Sequence, residues 1–333
     1  MGIYVNLEIM PAFIDSALWR ETYDESLLLL KAYTPPLMCL QVENLRFAKR
    51  LFYSSRLEQT TAGGQKYWEV VGDLGTKTSG ETFRLYGNIS DYQDSEEITP
   101  KEDIDILLRK EDSKLIRSIF HAKTQGLPYH IPLIAVAALI ESRMPRYAFV
   151  RGNITKSQAK EAVGWANSIL KKKIESPICL EATRLWQCLS KSLVGEELLN
   201  RFTDLFLGDK EEAYRLIWSS LSDKEIMKNW IIKKLRDYDV PTKIGCHWIF
   251  IAWLNATSDL RTLIELSSVR KSGPLFSPID MAEALTNIWI TIPQKDTKYL
   301  AELQEAMENT TTVESQLAQF ALVYYTTGVK RKL

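Results

Sequence analysis

The sequence predicts an α+β N-terminal domain followed by a larger, mostly α-helical domain. Strand-like runs occupy the chain before residue 98, the hydrophobic period becomes helical after it, and helix start signals recur from there on. We therefore predict a small domain at 1–98 and a mostly helical domain at 99–333. The polar, acidic segment 88–98 is the predicted exposed linker between them.

A strand and a long helix are the first predicted elements. In IYVNLEI, residues 3–9, apolar side chains alternate with others, which is typical of a strand. Pro11 ends this strand, and a helix is expected over 14–31. The pair Pro35–Pro36 stops that helix, because proline lacks the N–H group and clashes with the preceding turn.

Further β-rich runs, separated by turn residues, complete the predicted first domain. Together with the first strand they give a domain of four or five strands and one long helix. The runs lie at 37–42, 50–58, 66–72 and 81–87.

The stretch VVGDLGTKTSGETFRLY, residues 70–86, has the composition of a phosphate-binding loop but not its order. A P-loop requires Gly directly before the Lys and a helix after it. Here Thr76 precedes Lys77, and the residues that follow favour a strand. The stretch therefore predicts a connection between two strands. Because such loops often carry function, its polar residues are candidates, although the same composition is ordinary for a solvated turn: Asp73, Lys77, Glu81 and Arg84.

Helix start signals recur throughout the second part of the chain. Each places a side-chain acceptor where the first backbone N–H groups of a helix lack partners. Roughly ten helices are expected, with one short extended segment at 146–152. The apolar run 131–140 predicts a buried core helix, because it is too short to span a membrane. The predicted starts are Thr99, Thr155, Ser222, Ser277 and Thr311.

Composition argues against several functional classes. The 42 basic and 42 acidic residues cancel, so there is no general attraction to nucleic acid or to an anionic membrane. Four cysteines and three histidines are scattered without a CxxC pair, so no metal site is expected and a reducing compartment is favoured. The first ten residues lack the pattern of a secretory signal. We predict a soluble, cytoplasmic protein without a cofactor.

The stretch from residue 130 to residue 155 is the principal candidate site. Charged residues at both ends of the apolar helix could form an acid/base group, or equally an ion pair that closes the helix end. In the second case Glu141 would pair with Arg143 or Arg146. The candidate catalytic residues are His130, Glu141, Arg143 and Arg146, and the candidate anion-binding residues are Arg151, Asn153 and Thr155.

The functional hypothesis rests on abundant fold-forming sequence and no recognisable catalytic motif. The leading hypothesis is a non-enzymatic interaction or regulatory protein, such as an adaptor or a neutralising partner, whose partner is another protein. The alternative is an enzyme of unfamiliar type, with an acid/base or anion-binding site around 130–155. An interaction protein should expose an apolar or aromatic patch. Trp248 with Trp253, or Tyr324 with Tyr325, are the expected sources.

Overall fold

The structure of the protein is a computed structural model. The structure describes residues 2–44, 46, 48–93, 104–109, 114–290 and 331–332. The chain divides into two compact units. The first comprises residues 1–192 with 204–208, and the second comprises residues 193–203 and 209–333.

In the residues that the structure describes, the first unit contains two antiparallel sheets and four α-helices. One sheet has three strands in the order β7-β1-β8, and the other has five, in the order β3-β2-β5-β4 with β6 paired to β5. The strands are β1 (Tyr4–Ile9), β2 (Leu37–Asn44), β3 (Lys49–Ser54), β4 (Glu58–Thr60), β5 (Lys66–Asp73), β6 (Thr78–Tyr86), β7 (Arg117–Lys123) and β8 (Ala148–Gly152). The helices are α1 (Ser16–Ala32), α2 (His130–Arg143), α3 (Lys156–Ile169) and α4 (Ala182–Leu189).

Aromatic side chains pack the two sheets of this unit against each other. The ring of Phe120 on β7 lies 5.5 Å from that of Phe83 on β6 and 5.9 Å from that of Trp68 on β5. All three residues are almost fully buried. Such ring pairs supply both apolar area and a preferred edge-to-face geometry.

Helix α2 is the buried centre of the first unit. Every side chain from Leu133 to Ile140 has no solvent exposure. Helices α1 and α3 and strands β1 and β8 contact it, so it is covered on several sides. An apolar surface all round a helix requires such burial, and the predicted core helix is confirmed.

The described residues confirm the first predicted strand, the runs at 37–42, 66–72 and 81–87, and the first helix. The predicted run at 50–58 divides into β3 and the start of β4, so the described part of 1–98 has six strands and not four or five. The structure also has a later strand that was not predicted. Residues 117–123 form β7 within a region expected to be helical apart from 146–152. Only Phe120 and Ala122 of this strand are buried. The alternation of apolar and polar side chains therefore extends over too few residues to mark a strand in the sequence. The predicted extended segment at 146–152 contains β8.

The compact units divide near residue 192, whereas the predicted boundary is at residue 98. The physical reason is strand pairing: β1 hydrogen-bonds to β7 and β8, both far beyond residue 98. The predicted linker also begins inside the unit, because Ile89 is buried and the Tyr92 hydroxyl accepts a hydrogen bond from the N–H of Tyr86 at 2.8 Å. Residues 94–98 lie outside the described residues.

The second unit is helical in the part that the structure describes. Its core contains the Trp218–Trp253 and Tyr214–Trp230 ring pairs, at 5.4 and 5.6 Å. A short pair of strands accompanies the helices: β9 (Trp289–Ile290) and β10 (Arg331–Lys332). The helices are most of α5 (Gly195–Leu205), α6 (Lys210–Ser220), α7 (Lys224–Leu235), α8 (Ile244–Thr257), α9 (Leu260–Ile264), a π-helical turn (Glu265–Val269) and α10 (Pro278–Thr286).

Three of the predicted helix starts fall on described residues. Thr155 forms a complete capping box with Gln158, and Ser277 caps α10 by accepting from the N–H of Asp280, so both predictions are confirmed. For α7 the cap is Asp223 and not Ser222, because the aspartate accepts from the N–H of Glu225. The predicted starts at Thr99 and Thr311 lie outside the described residues.

None of the helices in the described ranges combines the length and the apolar character needed to cross a membrane.

Candidate functional site

The loop candidates lie along the β5–β6 hairpin. Antiparallel pairing of these strands confirms that 70–86 contains a connection between two strands. The Asp73 carboxylate accepts hydrogen bonds from the N–H and the hydroxyl of Thr76, both at 2.8 Å. Lys77 occupies the left-handed backbone region at a φ of 55°. Asp73 therefore organises the turn itself.

The other two hairpin candidates make separate contacts. Glu81 accepts from the N–H of Lys123 at 2.8 Å. Arg84 forms an ion pair with Glu69 at 2.7 Å and lies over the ring of Tyr67 at 4.6 Å. The four loop candidates thus stabilise different parts of the hairpin and do not converge on one site.

His130 lies at the start of α2 and away from Glu141. The two residues are separated by three turns, or roughly 16 Å along the helix axis. The His130 ring is buried, and its Nδ1 lies 2.7 Å from the hydroxyl of Thr124. Burial lowers the pKa of His130. The structure therefore does not place this histidine beside the carboxyl group with which sequence analysis grouped it.

Glu141 joins three segments of the chain through main-chain hydrogen bonds. Its Oε2 accepts from the N–H of Val150 on β8, and its Oε1 accepts from the N–H of Ile178 ahead of α4, both at 2.7 Å. Desolvation raises the pKa of Glu141 to about 7, although the two N–H donors and Arg184 act in the opposite direction. The buried carboxyl group is a structural bridge that also titrates near neutral pH.

The raised pKa of Glu141 makes stability depend on pH. The folded chain binds the Glu141 proton more tightly than the unfolded chain does, so the protonated group stabilises the fold. This stabilisation is complete below the ordinary pKa of 4.5 and is lost as the pH rises through about 7. The free energy of unfolding should fall by about 2 to 3 kcal/mol between about pH 5 and about pH 8 from this group. Urea unfolding of wild type and Glu141→Gln at both pH values measures it. Equal pH dependence in the two proteins would contradict the assignment.

Arg143 pairs with a distant carboxylate. Its Nε and one terminal nitrogen donate to the two oxygens of Glu25 at 2.8 and 2.9 Å, and it also donates to the main-chain oxygens of Lys172 and Lys173. Arg146 lies 6.0 Å from the ring of Tyr147. Glu141 therefore does not pair with Arg143 or Arg146, as the ion-pair alternative expected. Main-chain N–H groups satisfy both of its carboxyl oxygens instead.

A cleft of about 780 Å³ opens at the C-terminal end of α2. Glu141, Arg143 and Arg146 all line it, so three of the four candidate catalytic residues share one cavity, and His130 does not. Asp105 also lines the cleft, and burial raises the pKa of its carboxyl group. Perturbed carboxyl groups in a cleft are typical of functional sites, but they also occur in structural networks.

The three anion-binding candidates take part in joining β1, β8 and α3. Arg151 lies opposite Asn6 in the register of β8 and β1. The Asn153 side chain accepts from the N–H of Tyr4 at 3.1 Å. The hydroxyl of Thr155 accepts a hydrogen bond from the N–H of Gln158 and so caps the start of α3.

Strands β2 and β3 form a two-stranded ribbon, Cys39–Ser54, at the edge of the five-stranded sheet. Strand β2 pairs with β5 only at Leu37 and Met38, and from Cys39 onward it pairs with β3. In the part of the chain that the structure describes, β3 pairs with no strand other than β2. The backbone of the ribbon therefore leaves the body of the sheet, and within the described residues the outer edge of β3 is free. One side-chain contact still joins it to the sheet, because the Tyr53 hydroxyl donates to the Ser79 Oγ on β6 at 3.1 Å.

One face of the β2–β3 ribbon is apolar and exposed. Leu40 lies opposite Tyr53, and Val42 lies opposite Leu51. Opposite residues and residues two apart share a face, so these four side chains form one patch. Leu51 is 63% exposed, Val42 55%, Tyr53 52% and Leu40 38%. The alternation was visible in the sequence, but the register that frees this face from the sheet was not.

The aromatic patch expected near Trp248 is only partly present. Trp248 is 52% exposed and shares a face of α8 with the exposed Ile244, one turn earlier. Trp253 is fully buried, and its Nε1 donates to the main-chain oxygen of Asp259 at 2.9 Å, which corrects the expectation for this residue. Tyr324 and Tyr325 lie outside the described residues.

Within the described ranges, no group of three or more histidine, cysteine, aspartate or glutamate side chains is arranged to hold a metal ion. Comparison of the chain with protein-family models, with curated proteins and with solved structures gave no match.

Proposed function

We propose that the protein is an interaction or regulatory protein that binds a partner protein through the β2–β3 ribbon. The observation that carries the proposal is the exposed apolar patch of Leu40, Val42, Leu51 and Tyr53. Apolar surface in one contiguous patch favours association, because its burial removes it from water. Scattered single residues would not support this function.

The free edge of β3 supplies a second element of recognition. An edge strand presents unpaired backbone N–H and C=O groups, and proteins usually protect such strands from pairing. An extended partner segment that adds to β3 would satisfy these groups and place its alternate side chains on the apolar patch.

The charge at the tip of the ribbon defines the class of partner. Arg46, Lys49 and Arg50 are exposed at this end of the ribbon, and Glu43, opposite Arg50, is the acidic residue between positions 39 and 54. Opposite charge on the partner steers the encounter and fixes its direction. The partner segment is therefore extended, apolar at alternate positions and flanked by acidic residues.

Replacing Val42 and Leu51 together by serine should abolish partner binding without unfolding the protein, because both side chains are exposed. The matched control is Leu28→Ser, which removes a leucine of similar exposure from α1. Affinity capture from cells of the source organism, followed by binding measurements with the purified partner, compares the three proteins. Loss of binding in the ribbon variant alone supports the proposal.

Two outcomes would overturn this proposal. A captured partner that binds the ribbon variant and wild type equally would place the interface elsewhere. A concentration-dependent dimer of wild type that the ribbon variant cannot form would mean that a second copy of this chain occupies the ribbon.

The alternative function, an enzyme, is favoured by one observation. Glu141 and Asp105, two carboxyl groups whose pKa is raised by burial, line the same cleft. If the protein is an enzyme that uses these carboxyl groups, its substrate must bind in this cleft.

A further inference from the structure

The cleft at the end of α2 is strongly basic. Six basic and three acidic side chains line it. Its acidic members are Asp105, Glu141 and Glu175, and its basic members are Arg143, Arg146, Lys172, Lys173, Arg184 and Lys191. An excess of positive charge in a concave site attracts anions, because the surrounding protein focuses the field.

Several of these cations are committed to contacts within the fold. Arg143 is held by Glu25, and Arg184 by Glu175 and by the main-chain oxygen of Ser176. The ammonium group of Lys173 donates to the main-chain oxygen of Asn167. Such contacts fix the positions of the cations that form the walls of the cleft.

Other donors in the cleft remain available for a ligand. Lys172 and Lys191 are exposed, and among the described residues neither ammonium group makes an ion pair. The Nε of Arg184 is buried and has no hydrogen-bond partner within the described ranges. A buried donor without a partner costs free energy, which a bound acceptor would offset.

We propose that this cleft binds a small molecule that carries a phosphate or diphosphate group. Its volume of about 780 Å³ lies within the range of small-molecule sites. The phosphate oxygens accept hydrogen bonds from Lys172, Lys191 and the Nε of Arg184. The site is separate from the β2–β3 ribbon, and the inference does not depend on the function proposed for the ribbon.

A multiply charged anion suits this site better than a single carboxylate. With Arg143 neutralised by Glu25, the five other basic residues still outnumber the three acidic ones by two, which one carboxylate would not neutralise. A phosphate group has a charge near −2 at neutral pH and several strong acceptor oxygens. Arginine and lysine together are a common donor set for such groups.

Calorimetric titration with pyrophosphate tests the inference. Wild type should bind it, and Lys172→Gln with Lys191→Gln should weaken the affinity by at least about tenfold, because two charge-assisted contacts are removed. Both lysines are exposed, so the variant should stay folded, as circular dichroism would verify. The matched control is Lys160→Gln on α3, an exposed lysine that does not line the cleft, which should bind like wild type.

Three results would overturn the inference. If the wild-type protein binds no pyrophosphate at about 1 mM, the cleft is not an anion-binding site. An affinity unchanged in the double lysine variant would place the anion elsewhere. Malonate, a dicarboxylate without phosphorus, that binds as tightly as pyrophosphate would show that the site does not select phosphate.

Discussion

Replacing Ala138 by aspartate is expected to unfold the first unit or to destabilise it by several kcal/mol. The Ala138 side chain has no solvent exposure and lies in the middle of α2, where its neighbours from Leu133 to Ile140 are equally buried. A carboxylate there would lose its hydration, and its helix neighbours from Leu133 to Ile140 carry no charged or polar side chain that could pair with it. Since a domain of ordinary stability has only about 5 to 15 kcal/mol in reserve, the loss would be visible in any unfolding measurement.

The measurement is thermal unfolding followed by circular dichroism, with Ala17→Asp as the matched control. Ala17 is an exposed residue in the first turn of α1, where a negative charge is favoured by the helix dipole. The control should therefore melt at or above the wild-type temperature. An Ala138→Asp protein that melts like wild type would mean that α2 is not enclosed as the structure places it. Ala135, which is equally buried, provides an independent repeat of the test.

Replacing Glu141 by alanine is expected to cost about 2 to 6 kcal/mol in the free energy of unfolding. The substitution leaves the N–H groups of Val150 and Ile178 buried without an acceptor, and each such group costs about 1 to 3 kcal/mol. Measurements near pH 5 give the larger loss, because ionisation of the buried carboxyl group has already removed about 2 to 3 kcal/mol of stability from the wild-type protein near pH 8. Urea unfolding monitored by tryptophan fluorescence provides the value.

Glu81→Ala is the control for this second prediction. The Glu81 carboxylate also accepts a backbone hydrogen bond, from the N–H of Lys123, but its side chain is half exposed, so water can replace it. The control should cost about 1 kcal/mol or less. An equal loss in both variants would mean that the bridge from Glu141 to Val150 and Ile178 has no special role. A Glu141→Ala protein of wild-type stability would remove the structural role altogether.

The local elements of this fold were predictable where the hydrophobic period is strong. The alternation of apolar residues in β1 predicts a strand, and the apolar run of α2 predicts a buried helix. The structure has both elements. Strand β7 was missed because RSIFHAK alternates over only two buried residues. The place where the compact units divide was not predictable, because it depends on which distant strands pair with β1, and local pattern does not contain that information.

The candidate site illustrates the same limit at the level of side chains. Glu141 stood out because a carboxyl group at the end of an apolar helix requires partners. The partners themselves, the N–H groups of Val150 and Ile178, come from segments whose approach depends on the whole unit. Arg143 was grouped with Glu141 by proximity in sequence, yet its partner is Glu25, more than a hundred residues away. Sequence indicated which residues need contacts but not which contacts they make.

The position of β1 between β7 and β8 has a consequence for synthesis of the protein. The ribosome makes β1 at the beginning of this sequence, but the strands on its two sides are residues 117–123 and 148–152. At about 5 to 20 residues per second, β1 waits roughly 7 to 30 s before both neighbours exist. During that time its apolar side chains and both of its edges are open to other chains. The nascent chain is therefore exposed to aggregation at β1, and can be protected there by chaperones, until the last strand of this sheet emerges.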